Sequence, residues 1–251
     1  MLARWHSEIC HHNKEAPLDT IFYEYIIHFP DDTIRNYRVE IGKKTRRIIH
    51  TDIEIKDAAE WTNLEYCQCD NCPLDKVEYP KCPIAHNLYS LIEIFKDRIS
   101  YEEVTVEILS NQRSYKKQTT LQIALQSLFG ILMAASDCPN MKFLSSMAIF
   151  HLPFASFEET ILRASSFYLL KQYFQKTCNQ YYDFSMDGLK KQYEAVEMVN
   201  QALLERIQSI ETEGDASLNA INTLNAFAQM FSLQYELDLA SIQYVFTDPD
   251  E

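Results

Sequence analysis

Ile21-Phe22-Tyr23-Glu24-Tyr25-Ile26-Ile27-His28-Phe29 is the stretch on which the fold turns. β-branched and aromatic residues dominate it, and no breaker interrupts it before Pro30, so it predicts a strand. Two further runs, residues 34–41 and 46–55, follow at once. Pro30-Asp31-Asp32 and Gly42-Lys43-Lys44 separate them with turn chemistry, which predicts an antiparallel meander with short hairpins. Val104-Thr105-Val106-Glu107-Ile108-Leu109 returns to a loose alternation. With a partner around residues 113–115, after the Asn111-Gln112 turn, it is expected to join the same sheet.

Beyond this sheet the periodicity changes. Ile84, Leu88, Leu91, Ile92 and Phe95 recur at helical spacing after Pro83, and proline costs nothing at a helix start because its missing N–H would be unpaired there anyway. From Thr119 onward the pattern is helical throughout. Leu121, Leu125, Leu128, Leu132 and Ala135 mark one face, ended by Asp137-Cys138-Pro139. Ser156-Phe157-Glu158-Glu159 fits a capping box that opens a helix to about residue 176. Val196, Val199, Leu203, Ile207 and Ile210 stripe the next helix, with Gly214 expected as its stop. Leu218, Ile221, Leu224, Ala228 and Phe231 stripe its successor, so these two helices are expected to pack as a hairpin.

With only 4 Gly and 8 Pro in 251 residues, tight turns are scarce and long helices are favoured. The expected class is therefore α+β: a small antiparallel N-terminal sheet with a cysteine metal knuckle, then a predominantly helical C-terminal half. Residues 1–19 form an N-terminal segment, 20–118 the sheet plus knuckle, and 119–251 a helical region sharing one core with the sheet.

The knuckle is the strongest chemical signal. Cys67, Cys69, Cys72 and Cys82 lie within sixteen residues, on a segment with no hydrophobic period of its own. The Cys69-x2-Cys72 spacing lets two sulfurs reach one tetrahedral ion without straining the backbone. Cys138 is a further candidate ligand and, like Cys72 and Cys82, precedes a proline. Which four thiols coordinate stays open. Structural zinc is the expected metal. An iron–sulfur cluster is the alternative, because Cys-Pro also occurs at cluster ligands, and free thiols or redox pairs remain a third reading. Cys10 and Cys178 stand alone and read as packing residues or surface thiols.

Charge narrows the function classes. The net charge is −13, with −4 up to Lys117 and −9 after it. This argues against broad capture of nucleic acid or anionic lipid, which needs clustered cations. Lys43, Lys44, Arg46 and Arg47 form the densest basic cluster, a candidate anion or nucleic-acid contact that a solvated hairpin tip explains equally well. No apolar run approaches the length of a membrane span, and residues 1–16 mix charges where a signal peptide is apolar; the expectation is a cytoplasmic protein. Walker, dinucleotide-glycine, GxSxG and HExxH motifs are absent from the sequence.

The combined motifs resemble an uncharacterised bacterial family, a domain of unknown function, over about residues 20–235. They are Cys69-Asp70-Asn71-Cys72-Pro73-Leu74, Cys82-Pro83-Ile84-Ala85-His86-Asn87-Leu88, Ser127-Leu128-Phe129-Gly130, Cys138-Pro139 and His151-Leu152-Pro153-Phe154-Ala155. The resemblance implies no activity. Two positions depart from it: Ile149 stands where an arginine is expected, and Asp137 where a glycine is expected.

The leading functional expectation is a regulatory or protein-interaction protein without catalytic activity, in which the metal knuckle pins the sheet to the helical half and self-association is the simplest partnership. The competing class is a metal-dependent or cysteine-based enzyme with a site near Cys138 and His151, where Glu158 and Glu159 flank a loop-to-helix junction. An iron–sulfur sensor and a nucleic-acid binder acting through the basic hairpin are the remaining alternatives. Catalytic residues are not assigned by any motif.

Overall fold

The structure, a computed structural model, describes residues 19–51, 58–210 and 213–247. The expected sheet is present. β1 (Thr20–His28), β2 (Ile34–Gly42), β3 (Ile48–Thr51), β4 (Glu103–Ser110) and β5 (Ser114–Thr120) form one antiparallel 5-stranded sheet in the order β3-β2-β1-β4-β5. The first three strands make the predicted meander, and the later hairpin adds to the free edge of β1. The last part of the third predicted strand lies outside the described residues.

Period-two alternation decides which face of the sheet is covered. Ile21, Tyr23, Tyr25 and Ile27 are buried on β1 while the residues between them are half-buried. The register places Tyr25 beside Tyr37 on one side and Ile108 on the other, so the inner face is continuous across strands. Its tyrosines supply apolar area and a polar tip together. Tyr37 shares a 3.0 Å hydrogen bond with Ser90, Tyr25 a 2.8 Å hydrogen bond with Ser127, and the Tyr23 hydroxyl donates to the Ile149 carbonyl at 3.0 Å. Each links the sheet to a different segment of the helical layer.

That layer comprises α1 (Pro83–Phe95), α2 (Leu121–Ala134), α3 (Ser145–Ile149), α4 (Phe157–Thr177), α5 (Asp187–Gln208) and α6 (Ala216–Ile242). Short 3-10 helices occupy Glu60–Thr62, Pro139–Leu144 and Gln243–Val245. α2 is apolar nearly all round, as befits a helix enclosed on most sides. The capping box at α4 is complete: the Glu159 N–H donates to Ser156 Oγ at 3.1 Å and the Ser156 N–H to the Glu159 carboxylate at 2.7 Å. Tyr193 of α5 stacks on Phe231 of α6 with ring centroids 3.8 Å apart, the contact expected of adjacent striped helices. Buried residues from Ile21 to Ile242 form one contiguous core. No single helix among the described residues is long and apolar enough to cross a membrane.

Gly214 has a different reason from the one expected. α5 ends at Gln208, six residues earlier, and Gly214 instead lies against the chain after α1: its N–H donates to the Lys96 carbonyl at 3.0 Å, and a Cβ there would sit 2.1 Å from the Arg98 carbonyl oxygen. The absence of a side chain permits backbone to approach backbone. Gly214→Ala is therefore expected to destabilise the fold by about 1–3 kcal/mol, read as a lowered urea midpoint, since both chains would have to separate.

Candidate metal centre

The knuckle loop has little secondary structure, and other interactions hold it. The Thr62 N–H closes the first 3-10 turn onto the Ala59 carbonyl, the Leu64 N–H donates to Pro80 O at 3.0 Å, and the Cys82 N–H to Thr62 O at 2.8 Å. Two ends of the loop are thus joined just before α1. Cys82 is the N-cap of α1, with Pro83 at the first helical position, and Cys138 has the same place before the 3-10 helix Pro139–Leu144. The repeated Cys-Pro pair therefore sets two sulfurs at two helix starts, where backbone N–H groups are free to point outward. At Cys138 the N–H groups of Asn140 and Met141 do so, favouring the thiolate. Between Cys69 and Cys72 the backbone is already turned, with the Cys72 N–H on Cys69 O at 2.9 Å.

All five candidate cysteines, Cys67, Cys69, Cys72, Cys82 and Cys138, line one small cavity of about 20 Å³. They are not equivalent. Burial, then the neighbouring Cys72, Cys138 and Cys82, push the Cys69 thiol up to about 12, and burial with Cys82 pushes Cys138 up to about 11. Cys69, Cys72, Cys82 and Cys138 thus act on one another across the cavity. Cys67 lies on the cavity wall with a left-handed backbone, φ 45, and does not contribute to either shift. No group of three or more His, Cys, Asp or Glu among the described residues stands in a metal-holding arrangement, so the thiols surround a shared space without forming a finished cage. All five are free thiols, whereas Cys178 is disulfide-bonded, which corrects its reading as a packing residue or surface thiol.

Three residues around this cavity escaped the sequence reading. Arg206 of α5 is only 2 % exposed; its Nη1 donates to the Trp61 and Asn63 carbonyls, both at 2.6 Å, and its Nη2 to Leu64 O at 2.9 Å. It also lines the thiol cavity, and among the described residues it has no carboxylate partner. Asn71, inside the Cys69-x2-Cys72 turn, donates to Ala195 O of α5 at 3.0 Å and receives Asn140 Nδ2 on its Oδ1 at 3.1 Å. Arg206 had a legible signal: it falls three residues after Leu203 and seven after Val199, on the apolar stripe where an arginine is out of place. Asn71 and Asn140 had none, because their partners lie far away in sequence.

Cys138 and His151 line different cavities, the second enclosed by α2, α4, α5, α6 and the segment from His151 to Ser156. His151 Nε2 is 2.7 Å from the Tyr25 hydroxyl and 3.4 Å from Ser127 Oγ. Burial holds its pKa down at about 3, so the ring is neutral. No described carboxylate orients its other nitrogen, and the serine hydroxyl is already engaged with Tyr25, so this cluster lacks the third member that activates a serine–histidine pair. Glu159 is taken up in the capping box.

The basic hairpin is partly neutralised. Lys43 pairs with Asp19 at 2.8 Å and Arg47 with Asp137 at 2.6 Å, so the aspartate that replaces the expected glycine ties the β2–β3 turn to the Cys138 segment. Arg46 has a left-handed backbone, φ 58, and Lys44 is exposed beside it.

Geometry and fold together define an α+β protein with a partly buried group of thiols beside its helical layer. The profile of DUF6901, a domain of unknown function, matches residues 21–247, and the chain belongs to that family. No curated protein and no solved structure matches it.

The histidine makes stability depend on pH. Its folded pKa lies below the ordinary value of 6.5, so between the two the unfolded chain binds the extra proton. Its contribution is complete above about pH 6.5 and declines as pH falls toward 3. Thermal melting is expected at progressively lower temperature from pH 7 to pH 4, with a shallower dependence in His151→Gln.

Proposed function

We propose that this protein is a metal-stabilised regulatory or interaction protein without catalytic activity, in which Cys69, Cys72, Cys82 and Cys138 hold one structural zinc ion. The observation that carries the reading is the meeting of four thiols from three separated segments at one small, partly buried cavity. Four soft sulfur donors suit zinc and close its coordination sphere, leaving no open position for chemistry. Closing on an ion asks for side-chain rotation, because the Cys69–Cys72 turn and the two Cys-Pro helix starts already have their backbone in place.

Electrostatics supports the same reading. A zinc ion with four thiolates carries a net double negative charge, and the cavity wall holds Arg206, a buried guanidinium satisfied only by neutral carbonyls. Each charge would offset the other's burial. The ion would fasten the loop of residues 58–82 to the start of α1 and to the segment that follows α2. It would not fasten the sheet, which is attached through Tyr23, Tyr25 and Tyr37. For the interaction role the support is an exposed aromatic surface: Tyr173 and Phe174 of α4, with Tyr181 and Phe184 just beyond it, all lie open. A second copy of the chain is the simplest occupant.

Anaerobically purified protein is expected to contain one zinc per chain without a visible chromophore. Removing the metal with a chelator should lower the melting temperature sharply, and the native mass should exceed that of a monomer. A brown iron–sulfur chromophore would replace zinc by a redox cluster at the same thiols. Unchanged folding and no metal in protein purified from metal-supplemented cells would end the proposal.

A further inference from the structure

The cavity on the other side of α5 from the thiols has the size and lining of a small-molecule site. It encloses about 420 Å³, within the range of ligand pockets, and Met, Leu, Ile, Ala and Phe side chains form most of its lining. Its charged lining residues are both cations, Lys117 and Arg163, in a protein whose acidic residues outnumber its basic ones by 36 to 23. Arg163 is half-buried. One of its terminal nitrogens donates to Phe150 O at 2.6 Å, while Nε and the other terminal nitrogen make no hydrogen bond within the described residues. A carboxylate that acts on it, Glu159, is held by the α4 cap.

Two further features point inward. Asn200 is 1 % exposed, lines the cavity and has a buried Oδ1 without a partner. An orphaned buried amide is costly unless something supplies its hydrogen bond. Gly130 sits in the middle of α2, where glycine costs about 1 kcal/mol relative to alanine, and a Cβ there would meet nothing within 4 Å. Its missing side chain leaves the cavity open. Phe154, at φ 58, has the left-handed backbone that bulky residues avoid, and it holds the Lys117 ammonium 5.3 Å from its ring centre beside the cavity.

Tyr193 and Asn200 of α5 both line the cavity and lie seven residues apart, so it extends over about 10 Å along that helix. An extended chain of roughly eight to ten carbons spans that interval. We propose that this cavity binds a medium-chain carboxylate with a hydroxyl near its far end, the carboxylate at Arg163 and Lys117, the alkyl body along α2 and α6, and the hydroxyl at Asn200.

The probes are decanoate, 10-hydroxydecanoate, decanol and decyltrimethylammonium, titrated calorimetrically into the purified full-length chain. Both carboxylates should bind, the hydroxylated one more tightly, with the cationic analogue at least roughly tenfold weaker than decanoate. Gly130→Leu should melt no lower than the parent protein and lose decanoate binding, because the added side chain fills the site. Lys117→Met, a change at an exposed position, should weaken decanoate and leave decanol unchanged. Equal binding of the cationic and anionic chains, full decanoate binding by Gly130→Leu, or no binding of either carboxylate at millimolar concentration would overturn the proposal. These outcomes do not depend on the thiol centre, whose test is metal content.

Discussion

The architecture around the thiols depends on one buried guanidinium. The segment from Ala58 to Lys81 buries Trp61 and Leu64 but has little regular secondary structure, and its Trp61, Asn63 and Leu64 carbonyls all meet Arg206. A planar fork with five donors is well suited to this, since it gathers several carbonyls at fixed angles where a lysine would supply a single point of charge. Because Arg206 projects from α5, the loop is referred to the helical layer rather than to the sheet. Asn71 repeats the arrangement about three turns earlier on α5 and extends it to Asn140, so the cysteine turn and the Cys138 helix start are positioned against the same helix.

This placement gives α5 two distinct faces. Val199, Leu203 and Arg206 look onto the thiols, while Tyr193, Val196 and Asn200 look onto the larger cavity. The two spaces are chemically opposite. One is small, sulfur-lined and bordered by a cation engaged by three backbone carbonyls; the other is roomy, apolar and bordered by cations with donors to spare. Without an ion, burial and mutual repulsion hold the Cys69 and Cys138 protons on, and a bound divalent ion would reverse that preference by supplying the positive charge the thiolates lack.

Much of the fold was legible because strand and helix periods differ so clearly. The alternation at Ile21, Tyr23, Tyr25 and Ile27, the capping box at Ser156 and the Pro83 helix start all describe local physics that the chain obeys. The five candidate cysteines could be named from the sequence, but their meeting at one cavity needed the fold: only folding carries Cys138 across from the end of α2. Gly214 illustrates the opposite error, since a glycine near a helix end suggests a stop when the actual demand is a close approach by a distant backbone. The cavity beyond α5 was illegible for the same reason. Gly130, His151, Arg163 and Asn200 come from separate elements, and each alone resembles an ordinary helix or loop residue.

The central claim is that four thiolates meet at one ion, and X-ray absorption at the zinc edge of the purified protein tests it most directly. The account predicts a single shell of four sulfur neighbours at about 2.3 Å, without nitrogen or oxygen. A shell containing imidazole nitrogen or water oxygen, or fewer than four sulfurs, would contradict a closed centre formed by Cys69, Cys72, Cys82 and Cys138.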